Sequence, residues 1–322
     1  MARPQSPPSS RTLEPGEPPD DRRRQLFRGL GVGVDDFLCR ARVESRGGEE
    51  PNPTHSIVFV RRGTFTRSGP EGTIVADANQ ILFFNQGQAY RYGHPLPGGD
   101  ECTILTLDED RAREAVERFA PLPARKTREP FSVGHTLSTP RAARLHLQLL
   151  DRLSGARAPS PLAAQELVAE LVEESLRALH GAPETRARES GTASVRRRDT
   201  VEAAKLLLNE SLAAPPSLVE LAAALGCSPF HLSRTFRALT GLGLRHYLRR
   251  LRCRLATDRL KRGSFDLTEL ALDLGFYDHS HFTNAFRREW GVPPSRALRS
   301  LRGANGVDAE RGCSTAGRPT RG

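Results

Sequence analysis

Two stretches decide the reading of this chain: Ser-Leu-Val-Glu-Leu-Ala-Ala-Ala-Leu-Gly (Ser217–Gly226) and Asp-Leu-Thr-Glu-Leu-Ala-Leu-Asp-Leu-Gly (Asp266–Gly275). Laid over one another at an offset of 49, Leu218, Glu220, Leu221, Ala222, Leu225 and Gly226 each meet an identical residue. One extra residue after Gly275 lengthens the offset to 50. His231 then meets His281, Phe236 meets Phe286, Arg237 meets Arg287 and Gly241 meets Gly291. A sequence that matches itself at such a period carries two copies of one supersecondary unit.

The unit is a short helix, a glycine turn and a second helix. Ser217 and Asp266 are N-cap residues with Glu220 and Glu269 three positions on, the capping-box pattern. Leu218, Leu221 and Leu225 share one helical face, as do Leu267, Leu270 and Leu274. Gly226 and Gly275 stand where a helix stops on a residue tolerant of positive φ. Fresh N-caps follow, Ser228 with Pro229 at the first helical position and then Asp278. This is a helix-turn-helix, whose second helix enters the DNA major groove. A pair of ordinary helical hairpins is the plainer alternative, and two copies with matching caps and turns favour DNA binding over it.

Between the copies, Gly243–Arg262 sets Leu244, Tyr247, Leu248, Leu251, Leu255 and Leu260 on a stripe. The other face carries Arg245, Arg249, Arg250, Arg252, Arg254, Arg259, Lys261 and Arg262. A helix of roughly 18 residues in this stretch spans about 27 Å and, with the width of the flanking motifs, could hold two recognition helices about one DNA turn, or 34 Å, apart. From Val195 to Leu301 there are 18 Lys and Arg against 10 Asp and Glu, so most of the chain's net +10 lies in this third. Such a concentration is the footprint of phosphate binding.

At this point residues 199–301 resemble the double helix-turn-helix domain of the AraC/XylS family of bacterial transcription regulators. The most specific part runs from Ala271 to Phe276, through His281–Arg288, to Gly291-Val292-Pro293-Pro294-Ser295. The expected DNA-binding face is Phe230, Ser233, Arg234 and Arg237 in the first motif, and His279, Ser280, Thr283 and Asn284 in the second, with Thr283 and His279 suited to base or phosphate contacts. An Arg bonds a guanine edge bidentately and an Asn an adenine edge, so Arg234 and Asn284 lead; the resemblance places Arg234, Phe230 and Ser233 at base-reading positions. His281 suits a phosphate contact or packing as well as readout. Leu218, Leu221, Leu225, Leu232, Phe236, Leu270, Phe282, Phe286 and Trp290 are expected in the core.

The amino-terminal half reads differently. Short β-branched and aromatic runs (an edge strand over 34–43, then 56–60, 64–66, 73–76, 80–84, 88–92 and 103–107) are separated by turn residues, which indicates an all-β sandwich or barrel. The resemblance implies a small cupin-like β-barrel that senses an effector. Helices follow over 109–119, 139–153 and 161–180. The fold class is thus α+β: a cupin-like barrel with helices, then an all-α domain. The expected division is a disordered tail over 1–25, a sensor and dimerisation region over 26–180, a linker over 181–198, the DNA-binding domain over 199–301 and a second tail over 302–322.

Five scattered cysteines exclude a disulfide framework. Cys39, His55, His94 and Cys102, two thiols and two imidazoles, could bind a thiophilic metal tetrahedrally; no CxxC or HxH spacing joins them, so the expectation is no metal and no cofactor, and the sequence leaves a metal site there open. With no export signal and no membrane-length apolar run, the chain is expected in the cytoplasm, away from the membrane. Its expected partners are double-stranded DNA, RNA polymerase, a small-molecule effector and a second copy of itself. The competing readings are a metal-dependent cupin enzyme fused to a DNA-binding domain, which lacks its His-x-His pair here, and an alkyl-DNA repair fusion, which lacks its Pro-Cys-His-Arg nucleophile.

Overall fold

The computed structural model describes residues 22–40, 46–69, 72–119, 129–155, 160–181, 192–262 and 266–297. Ten strands come first in the chain, with one helix before the last of them. They are β1 (Arg22–Gly29), β2 (Val32–Cys39), β3 (Arg46–Pro51), β4 (His55–Gly63), β5 (Phe65–Gly69), β6 (Gly72–Ala76), β7 (Gln80–Phe84), β8 (Ala89–Gly93), β9 (Asp100–Leu107) and β10 (His135–Leu137). They form two antiparallel sheets, ordered β1-β2-β9-β4-β7-β10 and β3-β8-β5-β6.

Alternation along the strands sorts the side chains into two layers. Val58, Val60, Leu82, Phe84 and Cys102 of the larger sheet meet Phe65, Ile74, Ala76 and Tyr90 of the smaller one. Their neighbours Ile57, Phe59, Ile81, Phe83, Leu105 and Leu107 turn the other way, onto helices α1 (Glu109–Glu117), α2 (Pro140–Ser154) and α3 (Pro161–His180). The result is a sheet-on-sheet sandwich backed by helices. The sheets do not close into a barrel, and the sandwich interior is filled by side chains: Arg67 is buried there, its guanidinium over the rings of Phe84 and Tyr90 at 5.0 and 4.8 Å.

Three strands escape the sequence reading. Strand β1, Arg-Arg-Arg-Gln-Leu-Phe-Arg-Gly, has too little apolar content to read as a strand and begins within the stretch read as a tail. It is held by cross-strand charge: Arg23 bonds Asp35 at 2.6 Å and Arg24 bonds Asp36 at 3.0 Å. With β1 outside it, β2 is an inner strand and not the edge strand expected. Strands β3 and β10 are polar or very short.

The carboxy-terminal half is helical: α4 (Thr192–Glu210), α5 (Leu218–Ala224), α6 (Pro229–Thr240), α7 (Leu244–Arg262), α8 (Leu267–Asp273) and α9 (His279–Trp290). Helix α4 opens inside the stretch read as linker; its first turns are too polar to be distinguished from a linker by periodicity. Two cores serve this half. One joins α4, α5, α6 and the start of α7 around Leu232, Phe236 and Tyr247. The other joins the end of α7, α8 and α9 around Phe282, Phe286 and Trp290, and takes in Ala143 of α2.

The halves meet along a polar seam. Asp77, in the β6–β7 turn, accepts from the Tyr247 hydroxyl at 2.7 Å and from Asn209 Nδ2 at 2.9 Å. Asn79 donates to the Tyr247 carbonyl at 2.9 Å, Thr64 to Asn209 at 3.1 Å, and Val75 N–H to Glu202 at 2.6 Å. Buried Lys205 donates to the Val75 carbonyl at 3.2 Å. Burial pushes the Tyr247 hydroxyl well above, and the Glu202 carboxyl above, their ordinary ranges. Among the described residues, no helix is long and apolar enough to cross a membrane.

Candidate nucleic-acid interface

The two repeats cap their helices from matched positions, the first with the full capping box its sequence predicts and the second with a bond to the second helical residue in place of one to Glu269. Ser217 Oγ accepts from Glu220 N–H while Glu220 returns a 2.8 Å bond to Ser217 N–H, which completes the capping box and holds the Glu220 carboxyl below its usual range. Asp266 caps α8 by accepting from Thr268 N–H at 2.8 Å. Ser228 and Asp278 cap α6 and α9 through His231 N–H and His281 N–H. Gly241 and Gly291, both left-handed at φ 76° and 77°, end those helices.

The turn of the second motif requires glycine twice over. Gly275 has φ +76°, and a Cβ there would lie 2.2 Å from the Ala213 carbonyl oxygen. That carbonyl and those of Leu212 and Gly275 all accept from the Arg252 guanidinium, at 3.2, 2.7 and 2.6 Å. A side chain at this position would push Arg252 out of the clamp that joins the α4–α5 connection to the second motif.

With the scaffold set, α6 and α9 each bury one face. Leu232 and Phe236, and likewise Phe282 and Phe286, are fully buried. The opposite face of α6 exposes Phe230, Ser233, Arg234 and Arg237, and Phe230 is 75% exposed although it is a large apolar ring. On α9, His279, Ser280 and Asn284 are exposed and Thr283 is half-buried, 3.5 Å from His279. An Asn, an Arg and hydroxyls on exposed helical faces are the donor and acceptor set that reads base edges. His281 is exposed, with its ring edge-on to Phe276 at 5.4 Å.

Sequence reasoning left two basic residues of α9 out of the site. Arg287 and Arg288 are both exposed, and Arg287 is the repeat partner of Arg237. The offset of 50 that selected Arg237 carries to Arg287 as well. Tyr277, 87% exposed just before α9, is a further surface ring.

Helix α7 corrects the reading of its arginine face. Arg250, Arg252 and Arg254 are buried and do not face a phosphate. Arg250 and Arg254 both bond Glu289 of α9, each at 3.1 Å, and both donate to the Ser138 carbonyl between β10 and α2. Burial lowers the Arg254 guanidinium to about 10. The stripe of leucines suggested one buried face and one wet one. Instead α7 lies between the second motif and the sandwich, and its guanidiniums satisfy buried carbonyls and a buried carboxylate. Arg245 remains exposed and Arg249 half-buried.

In the sandwich, the four thiols and imidazoles noted in the sequence do not converge. His55 pairs with Leu107 at one end of β9, whereas Asp100 begins the other end. Seven residues of strand, about 23 Å, separate them. His55 instead accepts from Gln86 N–H at 3.2 Å, and burial lowers its imidazole below the ordinary value. A cavity of about 170 Å³ lies outside the sandwich, between the β1–β2 turn, α1 and α3, lined by Leu30, Leu107, Arg111, Arg118, Phe119 and Val172 among others.

Family models match both halves of the chain. A family model described as an AraC-like ligand binding domain matches residues 40–172, and one described as a helix-turn-helix domain matches residues 221–300. The uncharacterized HTH-type transcriptional regulator YidL of Escherichia coli (strain K12) is 33% identical over 103 residues, 32% of this chain and 35% of that protein. The HTH-type transcriptional activator RhaR of Enterobacter sp. (strain 638) is 38% identical over 68 residues, 21% of this chain and 24% of that protein. These matches span about a third and a quarter of the two relatives. Among solved structures, ToxT from Vibrio cholerae O395 is similar over 85% of this chain and 99% of its own, at 11% identity and a TM-score of 0.32. The DNA-binding domain of AdpA in complex with a target DNA matches 32% of this chain and 94% of its own, at 25% identity and a TM-score of 0.31. With a ligand-binding domain of that type ahead of a doubled helix-turn-helix, the chain belongs to the AraC/XylS family of transcription regulators.

Proposed function

We propose that the protein is a sequence-specific, non-enzymatic regulator of transcription that binds duplex DNA by laying α6 and α9 in two successive major-groove segments. The observation that carries this reading is the matched pair of exposed faces, Phe230/Ser233/Arg234/Arg237 and His279/Ser280/Thr283/Asn284, over two matched buried faces. Arg234 and Asn284 read bases; Arg237, Arg287 and Arg288 hold phosphates. The sandwich and its helices, residues 26–180, form the sensing part, and residues 199–301 the DNA-binding part. A small-molecule effector acts on the former, with the cavity between α1, α3 and the β1–β2 turn as its seat. Volumes for drug-sized ligands run from about 300 Å³ upward, so this effector is smaller. RNA polymerase, a second copy of the chain and a cytoplasmic location belong to the same reading.

The test is selection of binding sites from random duplexes by the full-length protein, repeated with Arg234→Ala and with Asn284→Ala. The expected product is a two-part sequence, one part losing definition in each variant. Enrichment of a single uninterrupted part, or of none, overturns the proposal.

A further inference from the structure

One end of the sandwich gathers side chains that the DNA-binding reading does not use. Cys39 ends β2, His94 follows β8, and Asp100 and Cys102 open β9. Cys39 pairs with Asp100 across the β2–β9 ladder, so the two side chains share a face of the sheet, and Cys102, two residues on, shares it with them. The five residues between His94 and Asp100 return His94 to the same place: its Nε2 lies 2.8 Å from Asp100 Oδ1. The Cys102 thiol donates to Asp100 Oδ2 at 3.1 Å. The Cys39 sulfur, a His94 nitrogen and an Asp100 oxygen all lie within 4.8 Å of one another.

The backbone is shaped to allow this crowding. Gly99 has φ +66°, and a Cβ on it would lie 2.0 Å from the Cys39 carbonyl oxygen. Only glycine lets the strand start press against β2 and bring Asp100 under Cys39. Cys39, Asp100 and Cys102 are each no more than 4% exposed, and the His94 side chain is 11% exposed. Neither cysteine is in a disulfide.

We propose that Cys39, His94, Asp100 and Cys102 are the ligands of a zinc-class divalent cation. Two sulfurs, one imidazole nitrogen and one carboxylate oxygen are a four-donor set suited to a borderline-soft ion with tetrahedral geometry. At Zn–S near 2.3 Å and Zn–N or Zn–O near 2.0 Å, donor atoms in a tetrahedron stand about 3.3–3.8 Å apart. His94 Nε2 and Asp100 Oδ1, now 2.8 Å apart, need to open slightly, while the Cys39 sulfur, within 4.8 Å of a donor atom of each, and the Cys102 sulfur, now bonded to Asp100 Oδ2, need to turn toward the shared centre. Asp100 then exchanges its bonds to His94 and Cys102 for the ion. The site lies beside the seam between the halves, since Asp100 pairs with Gly63, and Thr64, the next residue, donates to Asn209 of α4.

The experiment loads the full-length protein, stripped with a chelator and reduced, with Zn(II) or Co(II). The expected results are one equivalent of zinc retained through gel filtration and, with cobalt, a sulfur-to-metal charge-transfer band with intense tetrahedral visible bands. Bound zinc should also shield Cys39 and Cys102, but not Cys227, from alkylation mapped by mass spectrometry. Cys39→Ser and His94→Gln should each weaken binding tenfold or more, while Cys227→Ser and His55→Gln leave it unchanged. The cobalt spectrum and the alkylation map need no substitution, so a variant that fails to fold does not decide the matter. Zinc lost on gel filtration, cobalt bands without sulfur character, or affinity in Cys39→Ser and His94→Gln equal to that of the parent overturns the proposal.

Discussion

The two helix-turn-helix copies are alike where they hold themselves together and different where they hold on to the rest of the molecule. Both bury a ring-centred face, Leu232 with Phe236 and Phe282 with Phe286, and both end in a left-handed glycine. Yet Glu289 of the second stands at the repeat position of Leu239 in the first. Leu239 packs into the apolar core of the first motif, whereas Glu289 is gripped by Arg250 and Arg254, which reach the Ser138 carbonyl of the sandwich. The first motif is tied instead through Tyr247, edge-on to Phe236 at 5.3 Å and bonded to Asp77. Identity within the repeat thus falls mainly on the scaffold, with the exposed pair Arg237 and Arg287 as an exception, and the position held by Leu239 in one copy and Glu289 in the other marks a difference in attachment.

The largest expected effect tests that difference. Glu289→Ala leaves two buried guanidiniums without their carboxylate and should cost about 3–5 kcal/mol, read by urea unfolding of the full-length chain. Leu239→Ala, at the matched position, removes half-buried apolar area and should cost about 2 kcal/mol or less. Equal losses would mean that the attachment of the second motif is not special.

Next comes readout. Arg234→Ala, or Asn284→Ala in the other copy, should cost about 1–3 kcal/mol on the preferred duplex and much less on random duplex. If either variant loses both equally, that residue holds phosphate. Below that lie the charges. Neutralising Arg287 or Arg288 should reduce the slope of log affinity against log salt by about 0.9 each. Arg250→Ala should leave the slope unchanged and lower stability. A reduced slope for Arg250→Ala would return the α7 arginines to the DNA face.

The smallest effect separates the caps. The Glu220 carboxylate, held below its usual range by Ser217, stabilises α5 above its unfolded pKa, and that contribution fades as pH falls through the lowered folded value. A Glu220→Gln variant should unfold at a lower temperature than the parent at neutral pH, and the gap should close below about pH 4. A gap that persists in acid would show that the charge of Glu220 is not what stabilises the cap.

The helical half was legible because caps, glycines and leucine spacing are local signals, and the repeat printed each of them twice. All eight candidate readout residues lie on α6 or α9, at surface positions apart from half-buried Thr283. What stayed hidden was long-range. Arginines at Arg250, Arg252 and Arg254 look like a wet basic face until carbonyls from Ser138, Leu212 and Gly275 arrive from elsewhere in the chain. Strand β1 looks like a charged tail until Asp35 and Asp36 stand opposite it. Asp100, absent from the list of thiols and imidazoles, enters the cluster through the β2–β9 register, and the β4–β9 register removes His55 from it.

The central claim is that both copies touch DNA at once, and hydroxyl-radical footprinting of the full-length protein on its selected duplex tests it most directly. The account predicts two protected windows on one face of the duplex, about one helical turn apart, with Arg234→Ala weakening one and Asn284→Ala the other. A single window, or two windows that both fade in either variant, would contradict it.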